Sequence, residues 1–307
     1  MKKTLKIFGV ISILSLLSLG LVSNYFYNFA LNAKTNKSKI TNQDDDDTVN
    51  TRKKDDMKWF EQNKIEINSV SITKNKLTGY KFINKKSNKW IIVVHGYANR
   101  AINMSTYIKQ FYDRGYNILA VDLIAHGKSE GNTYSMGGFD SYDIINWSKL
   151  ISKEYNNPDI ILFGISMGAT TIMNSVIKND LPKNVIAFIE DSGYINLREQ
   201  FSFQLKKLYH LPSFPIIPTT NLITKIRAGY YFEDISVRNG LKNVTIPALI
   251  LHGDADTFVP IKNAYEIFNS LKSNKKIHVF KGTKHVKAES KFRNEYWEQI
   301  DNFLSNL

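Results

Sequence analysis

The stretch "ILFGISMGATTI" (161–172) sets Ser166 between Gly164 and Gly168, directly after a short apolar run and directly before small residues that suit a helix. A sharp turn from strand to helix exposes a serine hydroxyl, and flanking glycines relieve the crowding in such a turn. The backbone N–H of Met167 then lies at a helix amino terminus, which favours an anion. The pattern predicts attack by Ser166 on a carbonyl, with Met167 as one oxyanion donor. The alternative is a serine in a glycine-rich turn.

A serine hydroxyl is a weak nucleophile unless a neighbouring base takes its proton. Two later apolar runs end in suitable residues: "LILHGDADTFVP" offers Asp254 and Asp256, and "HVFKGTKH" offers His285. The run "WIIVVHGYANR" is followed by Tyr97, whose backbone N–H is the predicted second oxyanion donor. The order serine, aspartate, histidine is the one expected for an α/β-hydrolase. By position alone, either aspartate suits the role of orienting His285.

Short apolar runs rich in Ile and Val alternate with helical patterns along the chain. The runs cover residues 90–96, 117–123, 159–164, 184–191, 247–254 and 276–282, and two further strand-like stretches, 64–73 and 77–84, precede them. Such runs suit strands buried on both faces of a parallel sheet. The sequence therefore predicts an α/β fold, with a mostly parallel central sheet and helices on both of its faces.

The interval from about 193 to 246 is longer than one helix between two strands requires. It is predicted to form a small helical cover over the carboxyl edge of the sheet, where α/β proteins place their sites. The stretch from Pro212 to Pro218 breaks the cover in the middle.

The amino terminus predicts a membrane anchor. Lys2, Lys3 and Lys6 precede an uncharged stretch, 7–30, of about 24 residues, which exceeds the length needed to cross a bilayer. The aromatic residues of "NYFYNF" (24–29) lie at its far end, where an aromatic belt is expected. The prediction is a single-pass protein of the cell membrane with its body outside. The alternative is a signal peptide removed after Leu31-Asn32-Ala33, and secretion of the remainder.

A polar segment with runs of like charge, 34–56, follows the apolar stretch and is predicted to be a solvated linker. Its acidic run, Asp44–Asp47, lacks the alternating spacing and the glycine of a calcium loop. The predicted organisation is an anchor over 1–33, this linker, and a catalytic domain over 57–307.

Composition narrows the classes of function. The chain has 307 residues, no cysteine and a formal net charge of +13. Disulfides, thiolate zinc sites and cysteine nucleophiles are therefore excluded. The lysines are scattered among asparagines, without the arginine clusters of a nucleic-acid groove, so no nucleic-acid partner is expected. The proposed chemistry needs no metal or organic cofactor.

The motifs resemble those of the α/β-hydrolase superfamily, in the branch that mixes serine aminopeptidase-like and monoglyceride-lipase-like members. The matching stretches are "HGYANR" (95–100), "DLIAHGKSEG" (122–131), "GISMG" (164–168), "HGDADTFVP" (252–260) and "GTKH" (282–285). "YFYNFALN" and "DSGYINLREQFSFQLKKLYHLPSFP" resemble membrane-anchored hydrolases of Gram-positive bacteria. The resemblance runs from about Trp59 to the carboxyl terminus.

The resemblance implies roles for individual residues. The acid is the aspartate three residues before Val-Pro, which is Asp256, and Asp254 then shapes its loop. His95 and His252 are structural, and His126 packs near the site without doing chemistry.

The predicted activity is carboxylic ester hydrolysis by Ser166, His285 and Asp256 through an acyl-enzyme. The resemblance implies a small ester or lipid-like substrate with a short to medium acyl chain. The cover offers apolar side chains that suit an acyl group: Phe201, Phe203, Leu205, Leu208, Tyr230, Tyr231 and Phe232. The alternatives are a peptidase or amidase on the same residues, a lipid-active enzyme at the membrane, and a binding protein that kept the fold and lost the chemistry. The oligomeric state stays open.

Overall fold

The structure, a computed structural model, describes residues 2–37, 50–85 and 87–307. Asp44–Asp47 and the predicted linker between 38 and 49 lie outside these residues. The helices are α1 (Lys2–Ala30), α2 (Asn50–Asn63), α3 (Ser105–Asp113), α4 (Phe139–Glu154), α5 (Met167–Val176), α6 (Leu197–Tyr209), α7 (Ile216–Ala228), α8 (Lys262–Ser270), α9 (Ala288–Lys291) and α10 (Arg293–Leu304). The strands are β1 (Ile65–Val70), β2 (Lys76–Phe82), β3 (Trp90–Val94), β4 (Asn117–Val121), β5 (Ile160–Ile165), β6 (Val185–Asp191), β7 (Ala248–Gly253) and β8 (Lys275–Phe280).

Within the described residues, the strands form one eight-stranded sheet in the order β1-β2-β4-β3-β5-β6-β7-β8. The β1–β2 and β2–β4 pairs are antiparallel, and every pair from β3–β4 to β7–β8 is parallel. The six apolar runs of the sequence correspond to β3–β8. The predicted α/β fold with a mostly parallel sheet is confirmed.

The strands are apolar on both faces because each face is covered by helices. In β3, Trp90, Ile92 and Val94 belong to one buried cluster, while Ile91 and Val93 belong to the cluster on the opposite face. Residues of α4, α5 and α8 complete the first cluster, and residues of α2, α3 and α10 complete the second. The carboxyl ends of the parallel strands therefore meet at one fixed edge, where the candidate site lies.

Helices α6 and α7 belong to the cover over this edge, and the chain between them holds the predicted break. Asn196 caps α6 by accepting a hydrogen bond from the backbone N–H of Glu199 at 3.0 Å. The helix ends at His210 in the left-handed conformation, and α7 ends in the same way at Gly229. Both ends are thus encoded by local residues.

Residues 50–56, which the sequence analysis assigns to the linker, lie in helix α2. Polar and charged residues are compatible with a helix, and packing supplies the stability that their propensity does not. Phe60 is buried against Tyr80 and Phe82 of β2. Asp56 is buried as well, and it accepts a hydrogen bond from Thr106 Oγ1 at 2.8 Å.

Helix α1 is apolar, and its part from Lys6 to Ala30 is long enough to cross a membrane by length and composition. Most of its apolar side chains towards the amino terminus are exposed, including Phe8, Leu16 and Leu17. Its carboxyl end differs, because Tyr27 and Leu31 are 3% and 0% exposed and belong to the core of the sheet domain.

Candidate active site

Ser166 lies in a tight turn between β5 and α5. Its backbone has φ 52° and ψ −119°, which few residues other than glycine adopt. Side chains on the two neighbouring glycines would not fit. A Cβ on Gly164 would lie 2.5 Å from the carbonyl carbon of Gly168, and one on Gly168 would lie 2.3 Å from the carbonyl oxygen of Val94. The motif therefore holds Ser166 at the carboxyl edge of the sheet in a strained conformation.

His285 and Asp256 meet Ser166 at this edge. His285 Nε2 lies 2.9 Å from Ser166 Oγ, and His285 Nδ1 lies 2.7 Å from Asp256 Oδ2. The carboxylate of Asp256 is fully buried, while the imidazole is mostly buried. The three side chains come from loops after β5, β7 and β8, and they form one continuous line of hydrogen bonds.

The surroundings of Asp256 favour its ionised form. Its Oδ1 accepts hydrogen bonds from the backbone N–H groups of Phe258 and Val259, both at 2.8 Å. Burial alone would raise the pKa of Asp256, but the charge of His285 and the hydrogen bonds from His252 and His285 outweigh it. The pKa of this carboxyl therefore lies below its ordinary value.

Asp254, the other aspartate of the same loop, has a different environment. It is exposed, and its Oδ1 accepts a hydrogen bond from the backbone N–H of Gly282 at 2.5 Å. It therefore ties the β7 loop to the β8 loop. The structure brings Asp256, and not Asp254, to His285.

The two predicted oxyanion donors lie beside the serine. Tyr97 and Met167 line the same cavity as Ser166. Within the described residues, neither backbone N–H has a hydrogen-bond acceptor. The loop that carries Tyr97 is held by Asp122, whose Oδ1 accepts from the backbone N–H of Ala101 at 2.7 Å. Both N–H groups are thus available to an anion.

Comparison with known proteins shows what the chain is similar to. A sequence model described as serine aminopeptidase, S33, matches residues 85–234, which include Tyr97 and Ser166. An esterase of Pyrococcus furiosus has a similar structure, with a TM-score of 0.66 and 25% identity over 79% of this chain and 91% of that chain. The chain has the α/β-hydrolase fold, and its sequence is similar to members of that superfamily.

Two further proteins are similar to the chain in sequence. The uncharacterized protein YqkD of Bacillus subtilis (strain 168) is 26% identical over 75% of this chain and 76% of its own. A monoglyceride lipase homolog of Monkeypox virus is 20% identical over 70% of this chain and 89% of its own. The matches lie in the serine aminopeptidase-like and monoglyceride-lipase-like branch of the superfamily.

The other histidines named in the sequence analysis have structural contacts in this α/β-hydrolase. His95 Nε2 accepts a hydrogen bond from the backbone N–H of Leu123 at 3.0 Å, and burial lowers its pKa. Burial also lowers the pKa of His126, whose ring stacks on Tyr134 with centroids 4.1 Å apart. His252 Nε2 lies 2.8 Å from the carbonyl oxygen of Val259, so it supports the loop of the acid.

A cavity of about 90 Å³, open on one side, lies above Ser166. From the cover, Phe201, Leu205, Leu208 and Phe232 line it as predicted, whereas Phe203, Tyr230 and Tyr231 do not. In the described part of the chain, no charged side chain lines the cavity.

Several cavity residues were not found by sequence reasoning. Phe26, Phe29, Ala30 and Leu31 of the amino-terminal segment line the cavity beside Ser166. Their only signal in the sequence was the aromatic stretch 24–29, which was interpreted as a membrane belt. Phe258 also lines the cavity, and its ring lies 4.9 Å from that of His285.

The described residues offer no group of three His, Asp or Glu side chains that could hold a metal ion.

Proposed function

We propose that this α/β-hydrolase is a serine hydrolase that cleaves carboxylic esters with Ser166, His285 and Asp256. The observation that carries the proposal is the line of hydrogen bonds from Ser166 Oγ through the imidazole of His285 to Asp256 Oδ2, at 2.9 and 2.7 Å. A nucleophile, a base and a carboxylate that orients the base are the groups that acyl transfer requires.

The acylation step follows from this geometry. Ser166 Oγ attacks the ester carbonyl while His285 Nε2 takes its proton, and Asp256 stabilises the imidazolium that forms. The oxyanion accepts hydrogen bonds from the N–H groups of Tyr97 and Met167, each donor being worth about 10²- to 10³-fold in rate in known cases. His285 then returns the proton to the alcohol oxygen as it leaves, and the acyl-enzyme remains.

Deacylation repeats the same transfers with water. His285 takes a proton from a water molecule that attacks the acyl carbonyl, and it returns this proton to Ser166 Oγ as the acid is released. The products are one carboxylic acid and one alcohol, and the enzyme returns to its starting state.

The lining of the cavity favours esters over peptides. An aminoacyl amide carries an ammonium group, and a buried charge needs a partner of opposite sign. The described cavity residues are mostly aromatic and aliphatic, and their polar side chains, such as Gln200, Gln204 and Thr220, are uncharged. The esterase and lipase names of two relatives point in the same direction. Peptidase activity and a non-catalytic binding role are the alternatives.

We place the enzyme at the cell membrane, held by the apolar helix α1 and with the sheet domain outside. The length and composition of Lys6–Ala30 support this location. The packed carboxyl end of the helix supports retention of the segment rather than its removal after Ala33. Removal would take Tyr27 and Leu31 out of the core.

The test is labelling of the full-length protein in detergent with a fluorophosphonate probe, beside Ser166→Ala. Ser270→Ala is the matched control, because its hydroxyl donates to the carbonyl of Glu266 on α8 and does not line the cavity. We expect label on the parent and on the control, and none on Ser166→Ala.

Three outcomes would contradict the proposal. Equal labelling of Ser166→Ala would place the nucleophile elsewhere. Absence of label on a folded parent that also fails to hydrolyse p-nitrophenyl acetate would favour the binding role. Faster turnover of an alanyl amide than of the acetate ester would favour the peptidase.

A further inference from the structure

The carboxyl end of α1 closes one side of the cavity above Ser166. Phe26, Phe29 and Ala30 of α1, and Leu31 directly after it, line the cavity together with residues of cover helix α6. Tyr209 of α6 contacts α1, since its ring centroid lies 5.0 Å from that of Phe26 and 5.7 Å from that of Phe29.

Specific polar contacts fix this end of α1 to the catalytic domain. Tyr97 Oη donates to the carbonyl oxygen of Ala30 at 2.6 Å, so the residue that carries a proposed oxyanion donor also holds the helix end. Arg227 of α7 donates to Asn24 Oδ1 at 2.7 Å, and its guanidinium lies 4.3 Å from the ring centroid of Tyr27. These contacts give the helix one defined position over the site.

The backbone that follows α1 is fixed as well. The N–H of Tyr134 donates to the carbonyl of Leu31, and the N–H of Ala33 donates to the carbonyl of Asn132, both at 2.9 Å. Lys37 closes the helix end by donating to the carbonyl oxygen of Phe29 at 2.6 Å. A cation at a helix carboxyl terminus is favourable, because it pairs with carbonyls that have no partner in the helix.

The length of α1 sets the depth of the cavity relative to a bilayer. Lys6–Ala30 has 25 residues. At about 1.5 Å per residue it spans about 37 Å, whereas the hydrocarbon core is about 30 Å thick. About five residues therefore extend beyond the hydrocarbon. With the amino-terminal lysines at the opposite surface of the bilayer, the extending residues are the last five of α1, and they include Phe26, Phe29 and Ala30 of the cavity lining.

The outer surface of the cover continues the apolar surface of the helix. Leu222 and Ile226 are four residues apart on α7 and are 52% and 75% exposed. Arg227 of the same helix contacts α1 at Asn24, so α7 packs beside α1. Lys225 and Arg227 in the last turn add positive charge, which anionic lipid head groups attract. The environment that suits this surface is the membrane itself.

We propose that α1 is a wall of the acyl site as well as an anchor, and that the substrates are membrane lipid esters whose long acyl chain enters from the bilayer beside α1. The inference rests on the proposed ester hydrolysis at Ser166. It extends the expected acyl chain from short or medium to long, because the wall adds the apolar side chains of Phe26, Phe29 and Leu31 to the cavity beside Ser166.

The test compares p-nitrophenyl palmitate with p-nitrophenyl acetate, using the full-length protein in detergent micelles. Phe29→Ala removes a ring from the wall, and Leu17→Ala removes a similar apolar side chain from the exposed part of the same helix. We expect the ratio of kcat/KM for palmitate to that for acetate to fall about tenfold or more in Phe29→Ala, since a single methylene in an apolar pocket is worth about that much. Leu17→Ala should keep the parent's ratio.

The outcomes separate this inference from the proposed function. If the parent cleaves acetate and labels with a fluorophosphonate, but both variants keep the parent's ratio, the wall is refuted and the hydrolase stands. If the parent neither cleaves acetate nor labels with a fluorophosphonate, the proposed function itself is refuted.

A second measurement applies if Phe29→Ala does not fold. The chain has no cysteine, so Phe29→Cys and Leu17→Cys each carry one thiol. A long-chain alkyl fluorophosphonate on Ser166 should protect the thiol of Phe29→Cys from maleimide, and an ethyl fluorophosphonate should not. Protection by neither reagent, or equal protection in Leu17→Cys, would overturn the inference.

Discussion

The two aspartates of the β7 loop permit a matched test of the proposed chemistry, since Asp256→Asn and Asp254→Asn make the same change two residues apart. Asp256 Oδ2 accepts from His285 Nδ1 at 2.7 Å inside the domain. An asparagine amide there presents N–H to Nδ1 in place of an acceptor. The imidazole then carries its proton on Nε2 and cannot take one from Ser166.

The expected losses differ by orders of magnitude. The wrong tautomer costs about 10⁴-fold in kcat in the known case of this substitution, or about 5.5 kcal/mol of barrier. Asp254 is exposed, and its one side-chain hydrogen bond, from the N–H of Gly282, is kept by the carbonyl oxygen of an asparagine. Asp254→Asn should therefore lower kcat by about threefold or less, since an exposed charge contributes little.

The assay is hydrolysis of p-nitrophenyl acetate by the full-length protein in detergent, with thermal unfolding measured on each variant. Two folded variants with comparable kcat would refute the assignment of Asp256. A loss below about tenfold in Asp256→Asn would show that the carboxylate does not orient the base.

Two further predictions concern the fold around the site. Gly168→Ala should abolish labelling and lower Tm by about 6 °C or more, because its Cβ would lie 2.3 Å from the carbonyl oxygen of Val94. Such overpacking costs about 3 kcal/mol of unfolding free energy, which corresponds to that shift in Tm. Gly20→Ala is the control, since nothing lies within 4 Å of its new Cβ. Burial raises the pKa of Glu190 from 4.5 to about 7, so the folded protein binds the extra proton and loses stability as pH rises through this window. Glu190→Gln should remove this loss. From about pH 5 to about pH 8, the unfolding free energy of the variant should rise relative to that of the parent by up to about 3 kcal/mol. The measurement is unfolding of both proteins at both pH values. A relative stability that does not change with pH would show that Glu190 ionises normally.

The sheet and the position of Ser166 could be predicted because their signals are local. The apolar runs of β3–β7 are buried on both faces and therefore contain few polar residues. Gly164 is required by the backbone of Gly168, four positions away, whereas Gly168 is required by the carbonyl oxygen of Val94 on the neighbouring strand. His285 and Asp256 follow because loops after parallel strands meet at one edge. Their catalytic roles stay predictions.

The part played by α1 could not be predicted, because hydropathy reports the solvent that a helix prefers and not the domain that it contacts. Phe29 in the wall and Tyr25, which is half exposed, belong to the same aromatic stretch. Both rings contact Tyr209, far along the chain, but only Phe29 lines the cavity. Helix α2 was missed in its first turns for a similar reason. The partner of Asp56, Thr106, is 50 positions away.

The bond between Tyr27 Oη and Thr133 Oγ1 joins residues 106 positions apart. A ribosome therefore delivers the anchor long before the loop that receives it, and domains made in this order fold as their later parts emerge. On the proposed anchoring, helix α1 enters the membrane first and can dock only after the chain has been made beyond Thr133. A chain in which α1 is not docked lacks the proposed wall of the acyl site. On the proposed function, we therefore expect the hydrolysis of long-chain esters to begin only after the helix has docked, without a separate inhibitor.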